Sequence, residues 1–242
     1  MKLGAVFYPT EDQWGKKIKF DSLYIPYIYK EIYFEGIYID VLNMRKDMVI
    51  VDVGANIGIV TQHMIPYAKK IYAIEPSPEH FEALKKNKEF NEWENVELFQ
   101  LALADKDGEM SFTQNTHNRT MNTLIVGEKT GENEHKVKPE IGEALIKAKG
   151  YEGNIMVKTQ SMETFFKENK IDHVDFMKFD AEGAEDLILR SEGFRNVVGK
   201  IEAIMVEFHF PNWMELVQYM TQFGFKARQY ESSAKVILFI RT

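Results

Sequence analysis

Cysteine is absent from the 242 residues. That removes disulfide frameworks, cysteine–zinc sites and thiolate nucleophiles together, and it suits a reducing compartment. An excess of positive charge is lacking too. Lys and Arg number 30 against 37 Asp and Glu, a formal net charge of −7. Such a surface repels phosphate backbones, so no nucleic-acid partner is expected. No apolar run approaches the roughly 18 residues that cross a bilayer. The opening Met1–Pro9 has no small-residue cleavage pattern, and Glu11 and Asp12 follow at once. The chain therefore reads as soluble, unexported and cytoplasmic, with no membrane partner.

What is present is an ordinary globular balance, 45% hydrophobic and 28% charged, at a length that suits one α/β domain with appendages. Met48–Val53 is a β-branched run of the kind buried on both faces of a sheet. It leads into Gly54-Ala55-Asn56-Ile57-Gly58 and a predicted helix from Ile59 to Ala68. A second strand, Lys70–Ile74, ends at Glu75-Pro76-Ser77-Pro78, where Ser77 caps a helix reaching Phe90. A third strand spans Val96–Leu103, with a turn at Asp105–Gly108 and an extended piece at Glu109–Thr113. Residues 115–153 form a polar insertion with one amphipathic stretch, Glu140–Lys149. Beyond it the pattern predicts an extended Ile155–Gln160, a helix near Glu163–Asn169, a strand Val174–Phe179 and a helix Ala184–Glu192. A strand Ile201–Phe208, a helix Trp213–Phe223 and an antiparallel pair, Phe225–Tyr230 with Ala234–Arg241, close the chain. Residues 1–45 read as an aromatic-rich extension, either a lid over the site or packing across the sheet or a homodimer contact, and residues 46–242 as the domain proper.

Strands alternating with helices imply a doubly wound, Rossmann-like sheet, mostly parallel with an antiparallel C-terminal strand. Its ligands belong beyond the carboxyl ends of the strands. The loop there, G-A-N-I-G, is not the dinucleotide fingerprint, because Asn56 stands where a middle glycine is wanted. Asp52 before it would sit poorly beside a diphosphate and well beside an ammonium and a sulfonium. Glu75, seventeen positions after Gly58, can accept both hydroxyls of a ribose. The combination points to S-adenosylmethionine. An NAD-dependent oxidoreductase and a non-catalytic nucleotide-binding scaffold stand as the alternatives.

The stretches V-D-V-G-A-N-I-G (51–58), A-I-E-P-S-P (73–78), L-A-L-A-D (101–105) and F-M-K-F-D-A-E-G-A-E (176–185) resemble the FkbM family of S-adenosylmethionine-dependent methyltransferases. The resemblance covers approximately Tyr33 to His209 and is thin across the polar insertion. It implies the class I methyltransferase fold and O-methylation of a hydroxyl on a small molecule or glycan. By position it also implies a cofactor site of Asp52, Gly54, Ala55, Asn56, Gly58, Glu75, Pro76, Ser77, Ala102, Leu103 and Asp180. Lys178, Asp180 and Glu182 then lie where the methyl group points. Phe179 departs from the more usual aliphatic residue.

A neutral hydroxyl needs a base within about 3 Å. Asp180, Glu182, Glu207 and His209 emerge at the right strand ends, and His209, taken as unperturbed near neutral pH, is the first candidate, with Asp180 second. Lys178, inside a strand, is expected to be buried and paired with Asp52 or Glu207. No metal is expected at the cluster, because a strict Mg²⁺ site seldom uses histidine. The chain has no N/D-P-P-Y/F motif, which excludes the adenine amino-methylation site, and no thiol for carbon-5 pyrimidine chemistry.

Overall fold

The computed structural model describes residues 45–115, 123–124, 151–209, 213–229 and 236–242. The aromatic extension as far as residue 44 and the stretch 140–149 lie outside them. The first strand, β1 (Met48–Val53), is followed by α1 (Ile59–Met64), β2 (Ala68–Ile74), α2 (Pro78–Phe90) and β3 (Val96–Phe99). Then come β4 (Ala102–Ala104), β5 (Gly108–Asn115), β6 (Thr123–Leu124), β7 (Tyr151–Ser161), α3 (Met162–Glu168) and β8 (Phe176–Phe179). The last elements are α4 (Glu185–Leu189), α5 (Glu192–Val197), β9 (Ala203–Glu207), α6 (Trp213–Thr221), β10 (Phe225–Gln229) and β11 (Val236–Arg241).

The main sheet has seven strands in the order β10-β11-β9-β8-β1-β2-β3. β1 runs parallel to both β2 and β8, whereas β11 is antiparallel to β9 and β10. Sequence order therefore grows outward from β1 in one direction and resumes at β8 in the other. The switch falls between β1 and β8, where a crevice opens in sheets of this kind.

Both faces of the sheet are covered because its strands are apolar at odd and even positions alike. Val51, Val53, Met177 and Phe179 pack with Phe165, Phe166 and Phe194 on one side. Ile50, Phe176 and Met205 pack with Ile59, Met64 and Trp93 on the other. Full burial of each large apolar side chain stabilises by roughly 1.5–3 kcal/mol. Serines start three of the helices: Ser77, Ser161 and Ser191 accept from the backbone N–H groups of His80, Thr164 and Phe194.

Three expectations change. The run Val96–Leu103 is not one strand, because the chain leaves the seven-stranded sheet after Phe99 and Ala102–Ala104 pairs with β7 instead. That pairing belongs to a second sheet, β4-β7-β5-β6, that the alternation did not foretell. The helix expected from Ala184 to Glu192 is two helices, since the Ser191 hydroxyl caps the second.

Candidate active site

The carboxyl ends of β1, β2 and β8 hold a crevice enclosing about 550 Å³ including its open mouth. Val53, Ile74, Leu101, Ala102, Leu103 and Phe112 give it an apolar wall, and Gly54, Asn56, Glu75, His80, Asp180 and Glu182 a polar one.

The glycine loop takes its shape from two close approaches. Gly54 has φ of +73°, and a Cβ there would lie 2.0 Å from the Asp180 carbonyl oxygen. Gly58 has φ of +93°, and a Cβ would lie 2.7 Å from both Leu84 and Trp93. Only glycine meets both demands, left-handed backbone and no side chain. Lys178 then ties the loop to β8. Its Nζ donates to the Gly54 carbonyl at 2.7 Å and to Asp180 Oδ2 at 3.1 Å, and stands 3.8 Å from Asp52 Oδ1. The expected buried ion pair is present through Asp52, with Asp180 as a further partner.

Asp52 itself is fully buried and accepts the Thr61 hydroxyl at 2.5 Å. It underlies the glycine loop and is not part of the crevice lining, nor are Ala55, Gly58 and Ser77. Its burial raises its pKa, and Lys178 and Thr61 counter that rise. Glu75 does face the crevice. Its two oxygens accept the backbone N–H groups of Asn56 and Ser77, each at 2.8 Å, which orients the carboxylate rigidly. Burial pushes this group up to about 7, against the pull of those hydrogen bonds. Pro76 lines the crevice beside it.

At the far side of Asp180 lies a second polar group. His209, just beyond β9, has Nδ1 2.9 Å from Glu185 Oε1, and Nε2 3.6 Å from both Glu182 and Glu207. The expectation that His209 is unperturbed is overturned. Burial opposes a charged ring, but contact with Glu185 and Glu207 and the field of Asp180 outweigh it and carry the group to about 11. The ring is an imidazolium at neutral pH. Glu182 is pushed up to about 9, first by burial and then by Asp180, Glu207 and Glu185, so it keeps its proton. Asp180, Glu182 and His209 each bring a donor atom within 4.8 Å of the others, a spacing that suits a metal ion. The cluster, however, already holds two cations of its own, Lys178 and His209, against the same acids.

Sequence reasoning did not single out Glu185, His80 or Phe112. Glu185 lay within the quoted 176–185 stretch but carried no sign of its burial. His80 sits one turn into α2 with Nδ1 3.8 Å from Glu75, and Phe112 reaches the crevice from the unforeseen second sheet.

A doubly wound sheet with a glycine loop after its first strand, an acid after its second and a crevice at the switch point defines a class I methyltransferase. The methyltransferase FkbM domain matches residues 52–227, and the chain belongs to that family. Methyltransferase sdnD of Sordaria araneosa is 30% identical over 190 residues, 71% of this chain and 73% of that protein. Methyltransferase 1 of Beauveria bassiana is 30% identical over 173 residues, 70% of this chain and 68% of that protein. Among solved structures, a Streptococcus mutans protein described as a methyltransferase, in complex with SAH, shares the fold at a TM-score of 0.51 and 10% identity, over 86% of this chain and 97% of that one.

S-adenosylmethionine is the methyl donor, and the crevice fits it. Apolar side chains from β1 to β5 suit a purine, Glu75 suits a ribose, and the acids suit a cationic amino-acid end. Asp180 Oδ1 is buried and accepts no hydrogen bond among the described residues, a position that a ligand donor would satisfy. Among those residues no helix is long and apolar enough to cross a membrane.

Proposed function

We propose that the chain methylates a hydroxyl of a small molecule or glycan. The observation that carries this reading is the orphaned Asp180 Oδ1 at the junction of the cofactor crevice and the His209 cluster. When bound, S-adenosylmethionine supplies a methyl group already activated by its sulfonium. The protein is left to place the acceptor and to manage one proton.

Asp180 takes the role of base. Lys178 holds its Oδ2 at 3.1 Å, which leaves Oδ1 as the free acceptor for a hydroxyl proton. His209, charged, cannot accept that proton. It stands instead as the cation that favours negative charge developing on the acceptor oxygen. Glu182 and Glu207 flank the same space and can hydrogen-bond the further hydroxyls of a polyhydroxylated acceptor.

The test is transfer of a ¹³C-methyl group from S-adenosylmethionine to panels of hydroxylated small molecules and sugars, read by NMR. The methyl is expected on oxygen, and Asp180→Asn is expected to lower the rate by about 10²-fold or more. A product methylated on nitrogen or carbon would overturn the reading, as would full activity in Asp180→Asn.

A further inference from the structure

We propose that Glu185 is a positioning residue, which from full burial locks the ring of His209 and the loop 181–183 into one unit and so aims Nε2 of His209 at the acceptor space. The inference rests on the reading of that space given above.

Glu185 lies in the first turn of α4 and is fully buried. Its Oε1 accepts the backbone N–H of Ala181 at 3.1 Å and that of Gly183 at 3.1 Å, and meets His209 Nδ1 at 2.9 Å. Its Oε2 also accepts from Gly183, at 3.1 Å. One carboxylate therefore joins two segments that come from different strands, the loop after β8 and the residues after β9. A side chain placed only to cap its own helix would satisfy local N–H groups and stop there. Glu185 reaches 24 residues further along the chain to His209.

That contact settles which edge of the ring faces the site. With Nδ1 held against the Glu185 carboxylate, Nε2 is the edge turned toward Glu182 and Glu207. At 3.6 Å from both it is too far for a hydrogen bond to either, yet spaced for an oxygen atom to be shared among the three. The same anchor holds the loop that carries Glu182 at φ of +49°, a left-handed setting uncommon for a residue with a side chain. The arrangement repeats the general logic in which a buried carboxylate orients a histidine that acts on a third group. The groups facing His209 are Glu185 from α4, Asp180 and Glu182 from the loop after β8, and Glu207 from β9.

The experiment is NMR of the full chain carrying ¹⁵N-histidine, with His209 assigned by comparison with His209→Gln. In the wild type the Nδ1 proton of His209 is expected to be visible and slowly exchanging at pH 7, with the ring remaining charged through pH 8. In Glu185→Gln that proton is expected to exchange at least tenfold faster, and the ring to titrate below pH 8. Circular dichroism and thermal melting report whether the variant is folded. A folded Glu185→Gln with unchanged His209 titration and exchange would overturn the proposal. A wild-type His209 that lacks the Nδ1 proton, or that titrates near the ordinary histidine value, overturns it without any variant. Neither readout depends on the acceptor, so a wrong acceptor class and a wrong role for Glu185 give separate failures.

Discussion

The carboxylate of Glu75 makes cofactor affinity depend on pH in a way that can be worked through in advance. Two backbone N–H groups fix it at the crevice wall, and burial lifts it from 4.5 to about 7. A raised carboxyl binds its proton more tightly folded than unfolded. Its contribution therefore favours the fold below about pH 4.5 and is lost as pH rises through 7. Over that window the loss is about 3 kcal/mol. Ligand binding runs the other way. Both ribose hydroxyls can donate only to the ionised form, which is about one molecule in eleven at pH 6 and ten in eleven at pH 8. Affinity for adenosylhomocysteine is expected to rise about tenfold across that interval, or about 1.4 kcal/mol. Glu75→Gln removes the titration and leaves one oxygen for the N–H groups of Asn56 and Ser77. Its affinity is expected to be weaker at pH 8, by about 1.5–3 kcal/mol for a lost charged hydrogen bond, and flat with pH. Isothermal titration calorimetry at both pH values on both proteins decides it. A flat wild type, or a Glu75→Gln variant with the wild-type slope, refutes the assignment of Glu75 to the ribose.

Gly54→Ala places a methyl group 2.0 Å from the Asp180 carbonyl at a φ of +73°. Left-handed strain of about 1–2 kcal/mol and overpacking of about 1–3 kcal/mol predict a loss near 3 kcal/mol in urea unfolding, and a loss below about 1 kcal/mol would contradict the contact. Dialysis against EDTA is expected to leave the thermal midpoint unchanged, and titration with Mg²⁺ or Zn²⁺ to give no saturable heat. A saturable site at Asp180, Glu182 and His209 would replace the internal ion-pair reading.

Much of the scaffold was legible because its elements announce themselves locally. The β-branched Met48–Val53, the paired prolines around Ser77 and the alternation that follows each have one good solution in a parallel sheet. What escaped notice depends on partners distant in sequence. Nothing in Val96–Leu103 marks the point where the chain leaves one sheet for another, because the pairing of Ala102 with Thr159, distant in sequence, decides it. Asp52 was legible as an acid before the glycines, but not as one buried beneath them, since burial depends on Thr61 and Lys178 closing over it. His209 was placed correctly at a strand end. Its charge state was not readable, because the carboxylates that set it, Glu185, Glu207 and Asp180, converge only in the fold.

Crowded acids also bear on the choice between a cationic and an anionic cofactor. Glu75 and Glu182, which both line the crevice, have raised pKa values, and burial is the leading cause for each. Such groups hold protons that a nearby positive charge displaces and a nearby negative charge retains. Binding of S-adenosylmethionine, with a sulfonium and an ammonium, must then release protons, and binding of a diphosphate dinucleotide must take them up. Adenosylhomocysteine keeps the ribose and ammonium but lacks the sulfonium, so the difference between the two sulfur compounds isolates the acids near the methyl group. At pH 8, Glu182 still holds most of its proton, whereas Glu75 has lost most of its own. Calorimetry at that pH in buffers of different ionisation enthalpy counts the protons. More should leave with S-adenosylmethionine than with adenosylhomocysteine. Equal release would mean that the sulfonium does not lie beside Asp180 and Glu182, and the placement of the acceptor between them would fall with it.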